Sequence, residues 1–264
     1  MANSQERPAI SEPIIRAVRQ KCGFGCVICG LPIYEYDHFV PYSEVLEHKT
    51  ENLFLLCPMH HAEKTKGLLS DTTYKTYCDN PTNIVNGLSA PYNLHFEGSD
   101  MSFTLGECNL IINNLNPEKD ELTPLVINNE RVISFRIIEG QLLLTIKLYN
   151  QDGELLLLIE DNELIYNTGS WDIEFVGRNL KIREAAREII FDLNILPPGN
   201  IKINRGQFYK DGYELIVEDG KMISKSLTAV INNVVNARVL FSFGNCNEEL
   251  IGLIHNGPLK DDLI

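Results

Sequence analysis

The chain has 264 residues, 44% hydrophobic and 22% charged, a globular composition that excludes wholesale disorder and leads us to expect two domains at ~150 residues each. No stretch nears the ~18 consecutive apolar residues that cross a bilayer, and Met1 to Ile10 lacks the apolar core of a secretory signal, so a soluble, cytoplasmic protein without a membrane partner is expected. The net charge of −13 argues against a general nucleic-acid coat protein, because phosphate contacts need cations.

That charge is uneven. Through Lys75 there are 8 Lys+Arg against 9 Asp+Glu, and the remainder carries 15 against 27. Contacts with phosphates are therefore expected in the first part, and another task in the acidic second part.

In chain order, residues 11 to 21 read as a helix. Ser11 caps it, Glu12 and Pro13 suit its first turn, Ile14, Ile15 and Val18 form an apolar face, and Gly23 ends it. Arg16, Arg19 and Lys21 read as its solvated face or as phosphate contacts. Ile33 to Val40 and Leu53 to Leu56 read as strands. A short helix runs from Pro58 past Lys64 to Gly67, and Asp71 to Cys78 reads as another before Asp79-Asn80-Pro81 breaks it. The result is a small ββα unit with a leading helix, expected to need a metal staple. Gly87, Ser89 and Pro91 form a linker, so the boundaries expected are 1–85 and 93–264.

Beyond the linker, short apolar or alternating segments recur: Arg131 to Ile138, Gln141 to Leu148, Glu154 to Ile159, Asn179 to Ile182, Glu188 to Leu193, Tyr213 to Val217 and Arg238 to Phe243. Turn signals such as Asp152-Gly153, Pro197-Pro198-Gly199 and Asp219-Gly220 separate them. A mainly antiparallel sandwich, barrel or roll is expected, with Trp171 as a core anchor and residues 183 to 194 open to a helical alternative. The fold class expected for the whole chain is α+β.

Five of the seven cysteines, Cys22, Cys26, Cys29, Cys57 and Cys78, fall in the first 78 residues. Clustered so, without an export signal, they read as metal ligands rather than a disulfide frame. Cys26-Val27-Ile28-Cys29 and Cys57-Pro58-Met59-His60 are two half-sites that together offer the tetrahedral sulfur and nitrogen set Zn²⁺ prefers. Cys22, at the helix end, is expected to pack. Successive helical residues are rotated by ~100°, so His61 points away from the ion that His60 faces, toward the strand carrying Asp37 and His38. A carboxylate and an imidazole there suggest a second, open metal site, with a neighbouring histidine free to act as a base. His48 reads as solvated surface, His95 and His255 as isolated, and Tyr34, Tyr36 and Tyr42 as packing.

Cys-x2-Cys, Tyr36-Asp37-His38-Phe39-Val40-Pro41, Asn52 and Leu55-Leu56-Cys57-x2-His60-His61-x2-Lys64-Thr65 together resemble the HNH endonuclease family over roughly residues 12 to 70. The resemblance implies an N-terminal ββα-metal fold and divalent-metal-dependent cleavage of nucleic acid, for which DNA is the expected substrate. By it, His38 resembles the general base, and Asp37 and His61 resemble ligands of one Mg²⁺, Mn²⁺ or Ni²⁺. Asn52 either supplies an amide oxygen to the ion or orients the loop presenting His38. Lys64 either neutralises phosphate charge or snorkels, with Lys66 and Arg19 as further candidate contacts to nucleic acid. The chain departs from the pattern at His60, where zinc-stapled members often have cysteine, implying three cysteines and one histidine. A role in bacterial defence and a homodimer or higher oligomer through the second domain are further expectations. The rival reading is a zinc-stapled nucleic-acid-binding module without catalysis.

Overall fold

The structure, a computed structural model, describes residues 7–116, 120–165, 171–224 and 233–246. It is mixed α+β and mostly β, and it divides into two compact units: Met1–Ala90 with Asp172–Glu174, and Pro91–Trp171 with Phe175–Ile264.

The first unit opens with α1 (Glu12–Lys21), which has Ser11 at its N-cap and Pro13 in its first turn. Ser11 makes no side-chain capping bond. The helix ends where Gly23 takes a φ of +67°, a conformation that costs glycine nothing. Strand β1 (Glu35–His38) pairs antiparallel with β2 (Leu53–Leu56). All four residues of β2 are buried, which explains its unbroken apolar run. Strand β1 is shorter than the apolar segment around it because Asn52 takes over the backbone beyond His38: Phe39 donates to the Asn52 carbonyl and Val40 to the Asn52 side chain. Between the strands lie α2 (Tyr42–Val45) and a 3₁₀ turn over Thr50–Asn52. Helices α3 (Pro58–Thr65), α4 (Asp71–Asp79) and α5 (Thr82–Asn86) follow. The Ser70 hydroxyl caps α4 by accepting from the Thr73 N–H. One hydrophobic cluster joins Val18, Val27, β2 and Tyr74, with Ile14 packed against it.

Helix α1 corrects one expectation. Arg19 is 4% exposed and is no solvated cation. Its Nε and Nη2 donate to the two carboxylate oxygens of Asp172 at 2.8 and 2.7 Å, and Nη1 donates to the Tyr36 hydroxyl at 3.2 Å. A bidentate pair this deep is tied to its partner and cannot serve a phosphate. Lys21 is likewise engaged, donating to the Thr50 carbonyl and lying 3.5 Å from the Phe54 ring centroid. Truncating Arg19 to Ala strands a buried carboxylate, and we expect a loss of ~3–5 kcal/mol in the denaturant midpoint analysis. Asp172→Asn together with Arg19→Met is expected to recover much of it.

In the second unit the meander Glu130–Ile138, Gln141–Tyr149 and Leu155–Glu160 is antiparallel and lies close to the segments its alternation marks. Along the other sheet, Asn179–Ala185, Glu188–Leu196, Asn200–Lys210, Met101–Leu105 and Cys108–Ile112 are neighbours in that order. The sheets are open and mixed rather than a closed barrel. Asn200–Lys210 runs parallel to Met101–Leu105, Asn233–Val235 to Cys108–Ile112, and Phe241–Phe243 to Leu122–Ile127. Parallel partners come from distant segments and leave no hairpin signal in the sequence. The helical alternative for residues 183 to 194 is overturned. Both flanks are strands with Ile182 opposite Phe191, and Arg187 turns the chain between them at a φ of +68°. Burying Ile182, Phe191 and Leu193 outweighs the helix propensity of Arg183 to Glu188. Trp171 is only half-buried; the aromatic anchors are Phe103 with Phe135 and Phe191 with Phe208, at ring-centroid distances of 5.3 and 6.3 Å. His255 lies outside the described residues. Among the described residues no helix is long and apolar enough to cross a membrane.

Candidate functional site

Four side chains from two turns converge in the first unit. Ligand atoms of Cys26, Cys29, Cys57 and His60 all lie within 4.8 Å of one another. Cys26 and Cys29 sit on a turn closed by Cys26 N–H to Leu31 O and Gly30 N–H to Cys26 O, at 2.9 and 2.8 Å. Cys57 is the N-cap of α3, with Pro58 in its first turn, and His60 lies one turn on. The donor spacing fits a tetrahedral ion. Bonds of ~2.3 Å to sulfur and ~2.0 Å to nitrogen separate two sulfurs by ~3.8 Å and a sulfur from a nitrogen by ~3.5 Å. The structure has Cys29 Sγ and Cys57 Sγ at 3.8 Å, and His60 Nδ1 at 3.2 Å from Cys57 Sγ and 3.4 Å from Cys26 Sγ. The bond between the Cys29 and Cys26 thiols draws the Cys26 thiol down and pushes that of Cys29 up, so one of the two gives up its proton the more readily. A thiolate is the form that ligates metal. The cluster can therefore hold a structural metal such as zinc. Cys22 takes no part: it is fully buried in the hydrophobic cluster, and burial pushes its thiol up to about 12.

Helix α5 braces this turn, a contribution no motif announces. Thr82 Oγ1 donates to the carbonyls of Val27 and Ile28 at 3.0 and 2.7 Å, and Asn83 Nδ2 donates to those of Gly23 and Gly30 at 2.8 and 3.1 Å. Gly30 has a φ of +78°, and a Cβ there would stand 2.2 Å from Asn83 Oδ1. Gly30→Ala is therefore expected to destabilise the protein by more than ~1 kcal/mol, read as a lowered melting temperature.

A second group of polar side chains gathers where β1 meets α3. On β1, Glu35 and Asp37 alternate to one face and His38 to the other. The β1–β2 register runs unshifted from Glu35 to His38, so no bulge intervenes. His61 lies between the two acids: its Nδ1 is 2.7 Å from Glu35 Oε2 and its Nε2 is 3.5 Å from Asp37 Oδ1. The other Asp37 oxygen accepts from the Tyr74 hydroxyl at 2.9 Å and from the Lys64 ammonium. Lys64 also donates to the His38 carbonyl and stands 4.9 Å from the Tyr74 ring centroid. Burial, and then the negative charge of Asp37, push the Tyr74 phenol up, which keeps it a donor. Asp37 is 8% exposed and so depends on these partners.

His38 is 6% exposed and lies among cations and rings. Its Nδ1 is 2.9 Å from Arg7 Nη2 and its Nε2 is 3.1 Å from His48 Nδ1. Burial, then the charge of Arg7 and the proximity of His48, hold this imidazole below its ordinary value. Asn52 supplies nothing to the Asp37–His61 pair. It clasps the backbone of Val40 through both ends of its amide, at 2.8 and 2.9 Å, and so orients the segment just after His38.

Each expected site residue can now be placed. Cys26, Cys29, Cys57 and His60 come together, as do Asp37, His61 and Lys64, with His38 next along the strand. Lys66 is an exposed surface cation at the C-cap of α3, whereas Arg19 belongs to the buried pair with Asp172. His48 is not mere solvated surface but a partner of His38. Glu35 and Tyr74 were missed. Glu35 carried a usable signal, since it precedes Asp37 by two on a strand and shares its face; Tyr74 approaches from α4 and left none. Comparison of the chain with protein-family models, with curated proteins and with solved structures finds no match.

Proposed function

We propose that the first unit is a divalent-metal-dependent endonuclease of the HNH type, hydrolysing phosphodiester bonds in DNA. The observation that carries this reading is the approach of Asp37 Oδ1 to His61 Nε2, 3.5 Å apart and adjacent along β1 to His38. An octahedral ion with ~2.1 Å bonds has neighbouring donors ~3.0 Å apart, so the pair fits Mg²⁺, Mn²⁺ or Ni²⁺ after a shift of roughly half an ångström. When bound, such an ion neutralises charge on the scissile phosphate and on the leaving oxygen.

The residues of the chain supply the rest. His38, neutral because its environment favours the uncharged ring, takes a proton from water at Nδ1 while the water oxygen bonds to phosphorus. The bond from phosphorus to the leaving sugar oxygen breaks, and that oxygen takes a proton from solvent. Asp37 and His38 leave a regular strand in opposite directions, so the phosphate lies between them. Asn52 holds the segment that presents His38, and Lys66 offers an exposed cation to the backbone of the nucleic acid. Glu35 fixes the His61 ring by holding its Nδ1, as carboxylates commonly do for ligating imidazoles.

One observation favours the rival reading of a binding module without catalysis. The second oxygen of Asp37 is already taken by Lys64 and Tyr74, which makes the carboxylate a structural acceptor. A plasmid-nicking assay separates the two. Zinc-loaded protein dialysed free of other divalent ions and then given Mn²⁺ or Mg²⁺ is expected to nick supercoiled DNA, whereas a binder retards the plasmid and leaves it uncut.

A further inference from the structure

A run of hydrogen bonds passes through His38 and His48, and its two ends are chemically unambiguous. At one end His48 Nε2 lies 2.8 Å from the Pro8 carbonyl oxygen, which can only accept. His48 Nε2 therefore carries the hydrogen. In the neutral ring its Nδ1 then holds a lone pair. That lone pair faces His38 Nε2 at 3.1 Å, so the hydrogen between the rings belongs to His38. His38 Nδ1 is left as the acceptor. The far end agrees independently: Nδ1 faces Arg7 Nη2 at 2.9 Å, and a guanidinium can only donate.

We infer that His48 is a positioning residue for His38, locking it as the Nε2–H tautomer so that Nδ1 is the nitrogen that receives a proton. The inference rests on the nuclease reading for its purpose, though the tautomer follows from the hydrogen-bond polarity alone. Tyr42 holds the arrangement from the side, stacked on His48 at 4.8 Å between ring centroids and edge-on to His38 at 5.5 Å. Arg7 Nη2 occupies the Nδ1 lone pair, and Arg7 is exposed, so a water O–H reaches Nδ1 from the same direction once Arg7 gives way.

The test uses the full chain with ¹⁵N-labelled histidine and long-range ¹H–¹⁵N spectra, recorded above the ordinary imidazole range. His38 and His48 are both expected as Nε2–H tautomers. In His48→Ala the His38 ring should become a tautomer mixture. Plasmid nicking should fall by roughly tenfold to a hundredfold, a share of the ~10²–10⁴ contributed by a positioned general base, with zinc content unchanged. In His48→Gln the amide oxygen accepts the same hydrogen, and both the single tautomer and most of the rate should return. A native His38 found as the Nδ1–H tautomer overturns the inference even if neither variant folds. So does a His48→Ala protein with a pure Nε2–H tautomer and full rate. Native protein that nicks nothing sinks the nuclease reading instead, and the spectra still decide whether His48 sets the ring.

Discussion

Stripping the metal from the Cys26, Cys29, Cys57 and His60 cluster should unfold the first unit. The cluster ties the turn after α1 to the start of α3, with the whole β1–β2 hairpin between the two half-sites. Structural zinc in such sites contributes ~10–16 kcal/mol in small zinc-binding peptides, against a net stability of ~5–15 kcal/mol for an ordinary domain. The hydrophobic cluster around Val18, β2 and Tyr74 is one small core, and each side chain buried there contributes ~1.5–3 kcal/mol before chain entropy is subtracted. An ion held there would contribute as much as the whole net stability of an ordinary domain, so its loss is expected to leave the unit unfolded. The expected outcome is one zinc per chain by mass spectrometry of the native protein. A strong chelator should then remove the helical circular dichroism and the protection of the α1 and α3 amides together. Cys57→Ser should behave the same way without a chelator. A chelated protein that keeps its melting curve and its protected α3 amides would show that packing suffices and that the four ligands are ordinary buried side chains.

The second large effect concerns His38. Under the proposed nuclease reading, its replacement by Ala removes the group that takes the proton of water, and a positioned general base contributes ~10²–10⁴ in rate. Cleavage is then expected to fall by that factor, with zinc content unchanged and the fold retained, because the side chain touches Arg7, His48 and Tyr42 rather than the four cluster ligands. Asp37→Ala should lose both cleavage and Mn²⁺ binding, and by calorimetry the two losses should come together. The pH dependence has a defined sign. Burial and Arg7 favour the neutral ring, so His38 gains its proton only below the ordinary imidazole value of 6.5. Cleavage should therefore be flat at neutral pH and decline on acidification below that value. Full activity in His38→Ala would eliminate this mechanism. A decline beginning well above neutrality would mean that another group supplies the base.

The chemistry of the zinc-type cluster could be read before any fold was known. Two ligands separated by two residues on a turn is a local pattern, and two such pairs leave one arrangement that brings sulfur and imidazole together. The hairpin and α3 were legible for a similar reason. An apolar run bounded by polar turns, followed by Pro58 at a helix start, acts over a few residues. The opposite aim of Asp37 and His38 also followed from the two-residue period of a strand.

Local patterns carry no information about which polar group a distant residue will meet. Arg19 looked like one more cation on an amphipathic helix, and only chain closure brought it to Asp172, 153 residues away. His48 sits in a charged loop, and its role depends on that loop folding back over His38 and on Pro8 arriving from 40 residues upstream. The parallel strand pairs of the second unit are decided in the same way, by apolar faces that find one another across long connections rather than through a turn. Periodicity and ligand spacing belong to neighbours along the chain, so residues 1–90 disclosed their chemistry early; the pairing of buried polar groups is a property of the closed structure, because each pair must find its partner to repay the loss of water.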